Sequence, residues 1–303
     1  MNRWTRTLFK NGSKFTLKSF LSTSTACHGR QVYQLPRSVI RVQGSDSMDF
    51  LQGLMTNDVQ HLEQQPSIYS LFLNTQGRIL FDTFVVKNDS EGHELLIDCD
   101  HHVAGRLVKH LKMFKVRRKL DISLQEHQKV WAANESIDDG LCYQDSRCNH
   151  LGWRVIAESL DFKICDIEDY QLLRFQQGIP EGSLEIPPGK CTPLEYNVEY
   201  MHGVSFHKGC YIGQELTART HHTGVIRKRI MPLSLSSPAE IDAEVVTEKG
   251  KKVGTVRGQC GTKAIGLIRL QHSAEKLNIN GDPVQVHIPD WWPKSAPKSP
   301  QNR

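Results

Sequence analysis

The chain from residue 205 to residue 219 reads Ser-Phe-His-Lys-Gly-Cys-Tyr-Ile-Gly-Gln-Glu-Leu-Thr-Ala-Arg. Two glycines, Gly209 and Gly213, bracket the thiol of Cys210 in this run. Glycine takes positive φ without a steric penalty, so the pair predicts a tightly bent backbone that presents one side chain. We call residues 205–213 the cysteine loop.

A helix is predicted to follow the cysteine loop, because no helix breaker lies between Gln214 and Gly224. Cys210 would then lie just before or within the first helical turn. The helix dipole and the neighbouring Lys208 and His207 would favour its thiolate, the form that attacks electrophiles and binds metal. The alternative is that Cys210 is a small buried hydrophobe, as unpaired cysteines often are.

The N-terminal segment differs from the rest of the chain in its charge. Six cations and no acid occur in the first 30 residues, and the first acid of the chain is Asp46. Serine, threonine and scattered apolar residues lie between the cations, without a continuous apolar core. This composition predicts a mitochondrial matrix presequence over residues 1–30 rather than a secretory signal. A basic tail on a cytosolic protein is the alternative.

The remainder of the chain carries little net charge. The formal charge of the 303 residues is +5, and removing the six N-terminal cations leaves −1. A nearly neutral body exerts no general attraction on nucleic acid or on an anionic membrane. No apolar run is long enough to cross a bilayer. The length and the 38% hydrophobic content are typical of two or three globular domains.

Eight cysteines are spread along the chain without any C-x-x-C pair. A zinc site or a self-contained iron–sulfur site needs several thiolates or histidines at short spacing, which this sequence lacks. His221 and His222 have no third ligand spaced to join them, so they are expected to be a solvated helix end. In a reducing matrix the cysteines would be free thiols. A bound cluster would therefore have to take further ligands from a partner.

The first two-thirds of the chain is predicted to mix strands and helices. Amphipathic spacing predicts helices over 102–114 and 167–177, and a short helix is predicted after Asp46. Residues 134–151 and 182–193 are predicted to be irregular. Apolar, β-rich runs predict strands at 32–42, 68–73, 79–86, 94–99, 121–124, 129–133 and 153–157.

From Gly224 the pattern changes to short β-runs separated by turns. The runs at 225–235, 244–247, 252–258, 264–270 and 283–287 predict a small antiparallel barrel over residues 224–290. Residues 291–303 are predicted to be a disordered tail, in which Trp291 and Trp292 would close the end of the barrel.

A dense positive patch covers the last turns of the helix predicted over 102–114 and the residues just after it. The cations are Lys109, Lys112, Lys115, Arg117, Arg118 and Lys119. A solvated helix end, favoured by the dipole, is the ordinary interpretation of such a run. A docking surface for an acidic partner or ligand is the alternative.

Several blocks of sequence together point to a known family. They are Gly44-Ser45-Asp46, Phe50-Leu51-Gln52-Gly53, Thr56-Asn57-Asp58-Val59, Leu73-Asn74-Thr75-Gln76-Gly77-Arg78 with Asp82, residues 174–180, and the KGCYIGQE motif at 208–215. In this order, over residues 33–288, they resemble the glycine-cleavage T-protein superfamily. Within it the chain resembles the branch that contains the bacterial regulator YgfZ and the mitochondrial iron–sulfur cluster assembly factors.

The resemblance implies an α+β multidomain fold. Two intertwined α/β lobes, over residues 31–223, and the C-terminal antiparallel β-barrel would form a T-protein-like ring around a central channel that holds tetrahydrofolate in the transferases. The residues implied to line this folate-type channel or to support the cysteine loop are Asn74, Asp82, Glu195 and Lys208.

One departure from the family pattern bears on activity. The transferases carry a Gly-Gly-x-x-Asp-Asp hairpin whose acidic end supports the chemistry, whereas here the run is Gly77-Arg78-Ile79-Leu80-Phe81-Asp82. An aromatic ring cannot act as a general acid or base, so we expect no enzymatic turnover. Conversely, the assembly branch has a cysteine in the loop, and this chain has Cys210.

The resemblance therefore implies a late-acting assembly factor for mitochondrial [4Fe-4S] proteins. Cys210 would supply one thiolate to a [2Fe-2S] cluster shared with an A-type scaffold protein, which would provide the other ligands. Lys208 would stabilise the thiolate and the anionic cluster. The protein would be a monomer when alone and a heterodimer with the scaffold, in the mitochondrial matrix.

The alternative is a tetrahydrofolate-dependent one-carbon transferase related to the T-protein. Asp82 would be its surviving acid and Cys210 its nucleophile. Titration with tetrahydrofolate, together with a turnover assay, separates the two hypotheses.

Overall fold

Two antiparallel sheets and a closed barrel make up the described part of the chain, which covers residues 29–88 and 93–294 of the computed structural model. Most of the predicted presequence, and the predicted tail from residue 295 onward, lie outside these residues. The predicted mixture of α and β structure followed by an antiparallel barrel is confirmed. No helix of the described residues is long and apolar enough to cross a membrane.

The described chain begins with two short strands, β1 (Val32–Gln34) and β2 (Arg37–Gln43). They belong to different sheets, so the single strand predicted over residues 32–42 is wrong. The break falls at Pro36, which has no N–H to donate to a strand ladder.

The five-stranded sheet carries two helices on one face. Its strands besides β2 are β3 (Ser67–Leu73), β4 (Ile79–Lys87), β5 (Glu94–Asp100) and β6 (Asp121–Gln125). Their order is β3-β4-β5-β2-β6, and the predicted β3–β4 hairpin is confirmed. Helices α1 (Ser47–Gln52) and α2 (Ala104–Phe114) bury Leu51, Leu107 and Leu111 in the core on this face.

The four-stranded sheet covers the other face. It contains β1 with β7 (Lys129–Ala133), β8 (Leu141–Gln144) and β9 (Trp153–Ala157), in the order β1-β7-β9-β8. Tyr69 and Phe84 of the first sheet share one core with Val130 and Tyr143 of the second. Strand β8 lies in a segment predicted to be irregular. Its four residues are too few for a periodic pattern, and its ladder is supplied by β9.

Three further helices connect the sheets to the barrel. Helix α3 (Ile167–Gln177) is confirmed, and it ends at Gly178, whose φ of 68° is the left-handed conformation that glycine favours. Helix α4 (Gly182–Glu185) is a single turn inside a segment predicted to be irregular. Helix α5 (Gln214–Thr223) ends before Gly224, as predicted.

The barrel closes with six strands. They are β10 (Lys228–Leu235), β11 (Glu244–Thr247), β12 (Lys252–Cys260), β13 (Lys263–Arg269), β14 (Leu277–Ile279) and β15 (Asp282–Val286), in the order β10-β13-β12-β11-β14-β15. Five of them were predicted by the sequence, whereas the three-residue strand β14 was not.

The residues after the barrel are only partly a tail. Trp292 is buried in the barrel core, and its ring lies 5.5 Å from the ring of Tyr200. The indole N–H of Trp291 donates a hydrogen bond of 2.9 Å to the carbonyl oxygen of Gln177. These contacts agree with the expectation that the two tryptophans close the end of the barrel, whereas the prediction of disorder from residue 291 is wrong for this pair. Two aromatic rings bury enough apolar surface to order the segment.

Candidate functional site

The cysteine loop is held between helix α1 and the turn that joins β3 to β4. Ser205 and Ile212 donate backbone hydrogen bonds of 3.0 Å to Thr56 and 3.2 Å to Gly53 respectively. On the other side, a Cβ atom on Gly213 would lie 2.3 Å from the carbonyl oxygen of Asn74. Glycine is therefore required at residue 213 for the loop to reach the turn.

Only one of the two bracketing glycines bends the loop as predicted. Gly213 has a φ of 79° and precedes the first residue of α5. Gly209 has no positive φ, and a Cβ atom added there would meet nothing within 4 Å. The left-handed conformation that glycine permits is thus used at Gly213 and not at Gly209.

Cys210 is exposed, at the surface of the loop. Helix α5 begins at Gln214, so the thiol precedes the first helical turn. Exposure rules out the alternative in which Cys210 is a buried hydrophobe. Among the seven cysteines within residues 29–88 and 93–294, it is the one exposed thiol.

Most other described thiols are held in the protonated form. Burial raises the pKa of the thiols of Cys99, Cys142, Cys148, Cys191 and Cys260. A raised pKa reduces the thiolate fraction that binds metal or attacks an electrophile. These five thiols are therefore poor ligands as they stand.

The ammonium of Lys208 is occupied by backbone carbonyl groups. Its Nζ donates hydrogen bonds of 2.7, 2.8 and 2.7 Å to the carbonyl oxygens of Gln52, Met55 and Asn57. Burial lowers the pKa of Lys208 to about 8, against the opposing charge of Asp58. A lysine ammonium has three hydrogens, so none is left for a thiolate or a cluster. Lys208 therefore has no N–H left to bond the Cys210 thiolate, and its three hydrogen bonds anchor the loop to the end of α1 and the residues that follow it.

The other residues implied to line a folate-type channel are bonded within the protein. Asn74 Oδ1 accepts hydrogen bonds from the backbone of Gln76 and Arg78, at 3.0 and 2.9 Å, and so closes the β3–β4 turn. Glu195 accepts a hydrogen bond of 3.0 Å from the Thr192 hydroxyl. Five cavities among the described residues, including those beside Arg37 and Tyr69, have none of Asn74, Glu195 and Lys208 in their linings.

Asp82 belongs to a buried ion network that lies between the two sheets. Its carboxylate accepts a hydrogen bond of 2.9 Å from Arg37 Nη1, and Arg37 also pairs with Asp98. The further members are Asp145, Arg147, Arg154 and Glu181. Asp82 therefore holds Arg37 within the five-stranded sheet, and Arg154 of β9 connects the network to the second sheet through Asp98.

Glu181 is the carboxylate at which the network converges. Its Oε2 lies 2.7 Å from Arg147 Nη2 and 3.0 Å from Arg154 Nη1. Burial opposes ionisation, but the surrounding guanidinium groups, of which Arg154 contributes most, hold the pKa of Glu181 well below its usual range. This network was not predicted from the sequence. The available signal was the presence of acids inside largely apolar strands, such as Asp82 in β4 and Asp98 in β5.

Phe81 faces away from the ion network. It lies in the core beneath α2, and its ring centroid is 5.7 Å from that of His110. Burial lowers the pKa of His110. The position where the transferase pattern has a second acid is thus part of an apolar core.

The histidines near the cysteine loop form an aromatic stack. The rings of Phe206 and His221 lie 3.6 Å apart at 13°, and His222 follows His221 on the exposed end of α5. Burial, with the charges of His222 and His207, lowers the pKa of His221. Throughout the described ranges, no three His, Cys, Asp or Glu side chains are arranged to hold a metal ion. Cys210 therefore stands alone as a ligand.

A cavity of about 280 Å³ lies beside Tyr69. Its lining includes Asn57, Ser146 and His202. The hydroxyl groups of Tyr69 and Ser146 are buried without a hydrogen-bond partner in the described structure. Unpaired buried hydroxyls are uncommon in proteins and indicate a place where a ligand or water could bond.

Comparisons with known proteins agree with one another. A family model described as the C-terminal β-barrel domain of CAF17 matches residues 227–294. A mouse protein named iron-sulfur cluster assembly factor IBA57, mitochondrial, is 37% identical over 302 residues, covering 86% of this chain and 84% of the relative. The human protein of the same name is 35% identical, covering 85% and 83%. The glycine cleavage system aminomethyltransferase T of Bartonella henselae has the same fold, with a TM-score of 0.71 at 14% identity over 86% of each chain.

Proposed function

Because the chain belongs to the IBA57 family of mitochondrial iron–sulfur cluster assembly factors, we propose that it shares a [2Fe-2S] cluster with an A-type scaffold protein. The shared cluster serves the maturation of [4Fe-4S] proteins in the mitochondrial matrix. Cys210 contributes one thiolate from this chain, and the scaffold contributes the remaining ligands.

The observation that carries this proposal is the exposure of Cys210 on a loop that is braced on both sides. The loop is fixed by Lys208 against α1 and by Gly213 against the β3–β4 turn. A braced loop presents its thiol at a defined position and loses little conformational entropy when a partner binds.

The isolation of the thiol explains why a partner is needed. Each iron of a [2Fe-2S] cluster takes two protein ligands, so the cluster needs four. Cys210 supplies one, and the described residues around it form no group of three ligands. A cluster held by this chain alone would lack most of its ligands, whereas a heterodimer completes the set.

Reconstitution with the scaffold tests the proposal. The protein, an A-type scaffold, ferrous iron and sulfide are combined anaerobically, and native mass spectrometry and visible absorption report the complex. We expect a coloured heterodimer with the wild type and none with Cys210→Ala. Cys260→Ala, which removes a half-buried thiol from the barrel, is the matched control. A stable coloured heterodimer formed by Cys210→Ala would reject the ligand assignment.

A second candidate function is the binding of tetrahydrofolate. The hydroxyl groups of Tyr69 and Ser146 line a cavity and have no hydrogen-bond partner in the described structure. A bound ligand could supply that partner, which favours this candidate. Isothermal titration with tetrahydrofolate tests it. Wild-type binding that weakens in Tyr69→Phe, without one-carbon turnover, is expected. An absence of binding to the wild type would reject this candidate.

A further inference from the structure

Helix α2 and the turn after it carry the strongest concentration of charge in the described structure. Seven cations and no acid occur between residues 101 and 120. They are Arg106, Lys109, Lys112, Lys115, Arg117, Arg118 and Lys119, and we call them the basic stripe. One of them, Arg118, lies 3.3 Å from the exposed carboxylate of Asp49. The other six are paired with no carboxylate of the described residues.

The basic stripe makes the molecule electrically asymmetric. The seven cations of residues 1–28 and 295–303, less the two acids of 89–92, account for the whole formal charge of +5. The described residues are therefore neutral in sum, and the described residues outside the stripe carry an excess of seven negative charges. Such a charge distribution orients a partner of opposite charge before contact.

Two apolar side chains stand exposed among these cations. Met113 is 64% and Val116 is 72% exposed, although the apolar face of α2, with Leu107 and Leu111, is already buried against the sheet. Methionine and arginine are enriched at protein interfaces, in which an apolar centre is ringed by polar groups.

Arg117 takes a conformation that glycine would take more easily. Its φ is 60°, in the left-handed region that a residue with a Cβ atom adopts only under strain. The described structure gives its guanidinium no acidic partner in return. An exposed, strained and unpaired arginine is consistent with a contact that another molecule completes.

Helix α1 joins the basic stripe to the cysteine loop. Asp46 accepts a hydrogen bond of 2.8 Å from the backbone of Lys119 at the start of α1, and Lys208 bonds to Gln52 at the end of α1. A helix of six residues is about 9 Å long. A standard interface covers about 800 Å² on each partner, so one partner domain can contact both features.

We propose that the basic stripe is the docking face for an acidic surface of the protein that completes the cluster at Cys210. This inference rests on the proposed cluster sharing. Met113 and Val116 form the apolar centre of the contact, and the cations accelerate and orient the encounter. Because the apolar face of α2 is buried against the sheet, Met113 and Val116 are too few exposed apolar side chains to anchor the stripe in a membrane. The stripe has no exposed aromatic rings on which nucleic-acid bases could stack.

Charge reversal tests the docking face. Affinity for the A-type scaffold is measured against salt concentration for the wild type and for a Lys109→Glu, Lys112→Glu double variant. We expect roughly a tenfold loss of affinity at low salt and a weaker salt dependence. A Lys249→Glu, Lys251→Glu variant makes the same charge change on an exposed barrel turn, and it should bind as the wild type does. Equal losses in both variants would overturn the proposal.

Arg117→Gly separates docking from folding. Because glycine relieves the strain at a φ of 60°, the variant should unfold at the same or a higher temperature, yet bind the scaffold several-fold more weakly. Unchanged affinity would count against a contact at Arg117.

Measurements in the Cys210→Ala background distinguish this inference from the proposed function. If the Cys210→Ala variant still binds the scaffold, and Lys109→Glu, Lys112→Glu lowers that affinity further, docking is supported even though no coloured complex forms. If the Lys109→Glu, Lys112→Glu variant with Cys210 intact forms the coloured complex as well as the wild type does, cluster sharing is supported and docking on the basic stripe is rejected. Tighter binding to duplex DNA, or to phosphatidylcholine vesicles containing one-fifth cardiolipin, would also overturn the assignment to a protein partner.

Discussion

Gly213 lies so close to Asn74 that a Cβ atom on the glycine would stand 2.3 Å from the Asn74 carbonyl oxygen. The contact is reciprocated at Gly77, where a Cβ atom would meet Leu216 of α5 at 2.7 Å. Both glycines have positive φ. The turn between β3 and β4 and the start of α5 thus interlock through backbone. The position of Cys210 depends on that close approach.

Replacing Gly213 with alanine should destabilise the fold. The Cβ atom would be strained at a φ of 79° and would clash with a backbone carbonyl, which together should lower the free energy of unfolding by about 2–4 kcal/mol. Urea unfolding measures the change. Gly209→Ala is the matched control and should stay within about 0.5 kcal/mol of the wild type. A Gly213→Ala variant as stable as Gly209→Ala would refute the interlock.

Replacing Lys208 with methionine should loosen the cysteine loop. The change leaves three carbonyl groups without their donor, and we expect the free energy of unfolding to fall by about 3 kcal/mol. Hydrogen exchange should quicken at the Ile212 amide, which bonds to Gly53.

The pH dependence of Cys210 alkylation separates anchoring from a direct effect of Lys208 on the thiol. Anchoring predicts a similar pH midpoint in Lys208→Met and in the wild type. A large upward shift of that midpoint at unchanged stability would instead show that Lys208 acts on the thiolate.

Glu181 should make stability depend on pH in the acid range. Its pKa is lower in the folded state than the ordinary value of 4.5, so its stabilising contribution is present above that value and is lost as pH falls. Glu181→Gln should cost about 3–5 kcal/mol at pH 7, because it leaves buried guanidinium groups uncompensated. The difference from the wild type, measured by urea unfolding, should shrink on acidification. Exposed Glu158→Gln should show no such trend.

Replacing Trp292 with alanine should destabilise the barrel. The indole is 6% exposed, and deleting it leaves a cavity beside Tyr200 that should lower the free energy of unfolding by about 3–5 kcal/mol. Trp291→Phe removes a hydrogen bond to Gln177 but keeps a ring, so it should cost about 1 kcal/mol. Thermal unfolding compares the two. A Trp292→Ala variant with wild-type stability would mean that the segment does not close the barrel.

The sequence pattern was sufficient to predict the longer helices and the helix ends marked by a glycine. Residues 104–114 and 167–177 carry their own helical spacing, and Gly178 ends the second helix in the left-handed conformation. Strands β8 and β14 and helix α4 were missed. Each has three or four residues and depends on neighbours for its hydrogen bonds, so no periodic signal exists within it.

The sequence by itself determined the family and drew attention to the thiol on which the proposed function rests. The KGCYIGQE motif identified the family and singled out Cys210, because a thiol between glycines is a chemical feature that needs no folded context. Tertiary structure alone decided what surrounds it. Lys208 meets carbonyl groups from residues 52–57, and Asp82 pairs with Arg37 on a neighbouring part of the sheet. Burial and hydrogen bonding depend on segments that are distant in sequence. The folded structure was therefore needed to show that Asp82, a candidate channel acid, and Lys208, a candidate thiolate partner, are bonded within the protein.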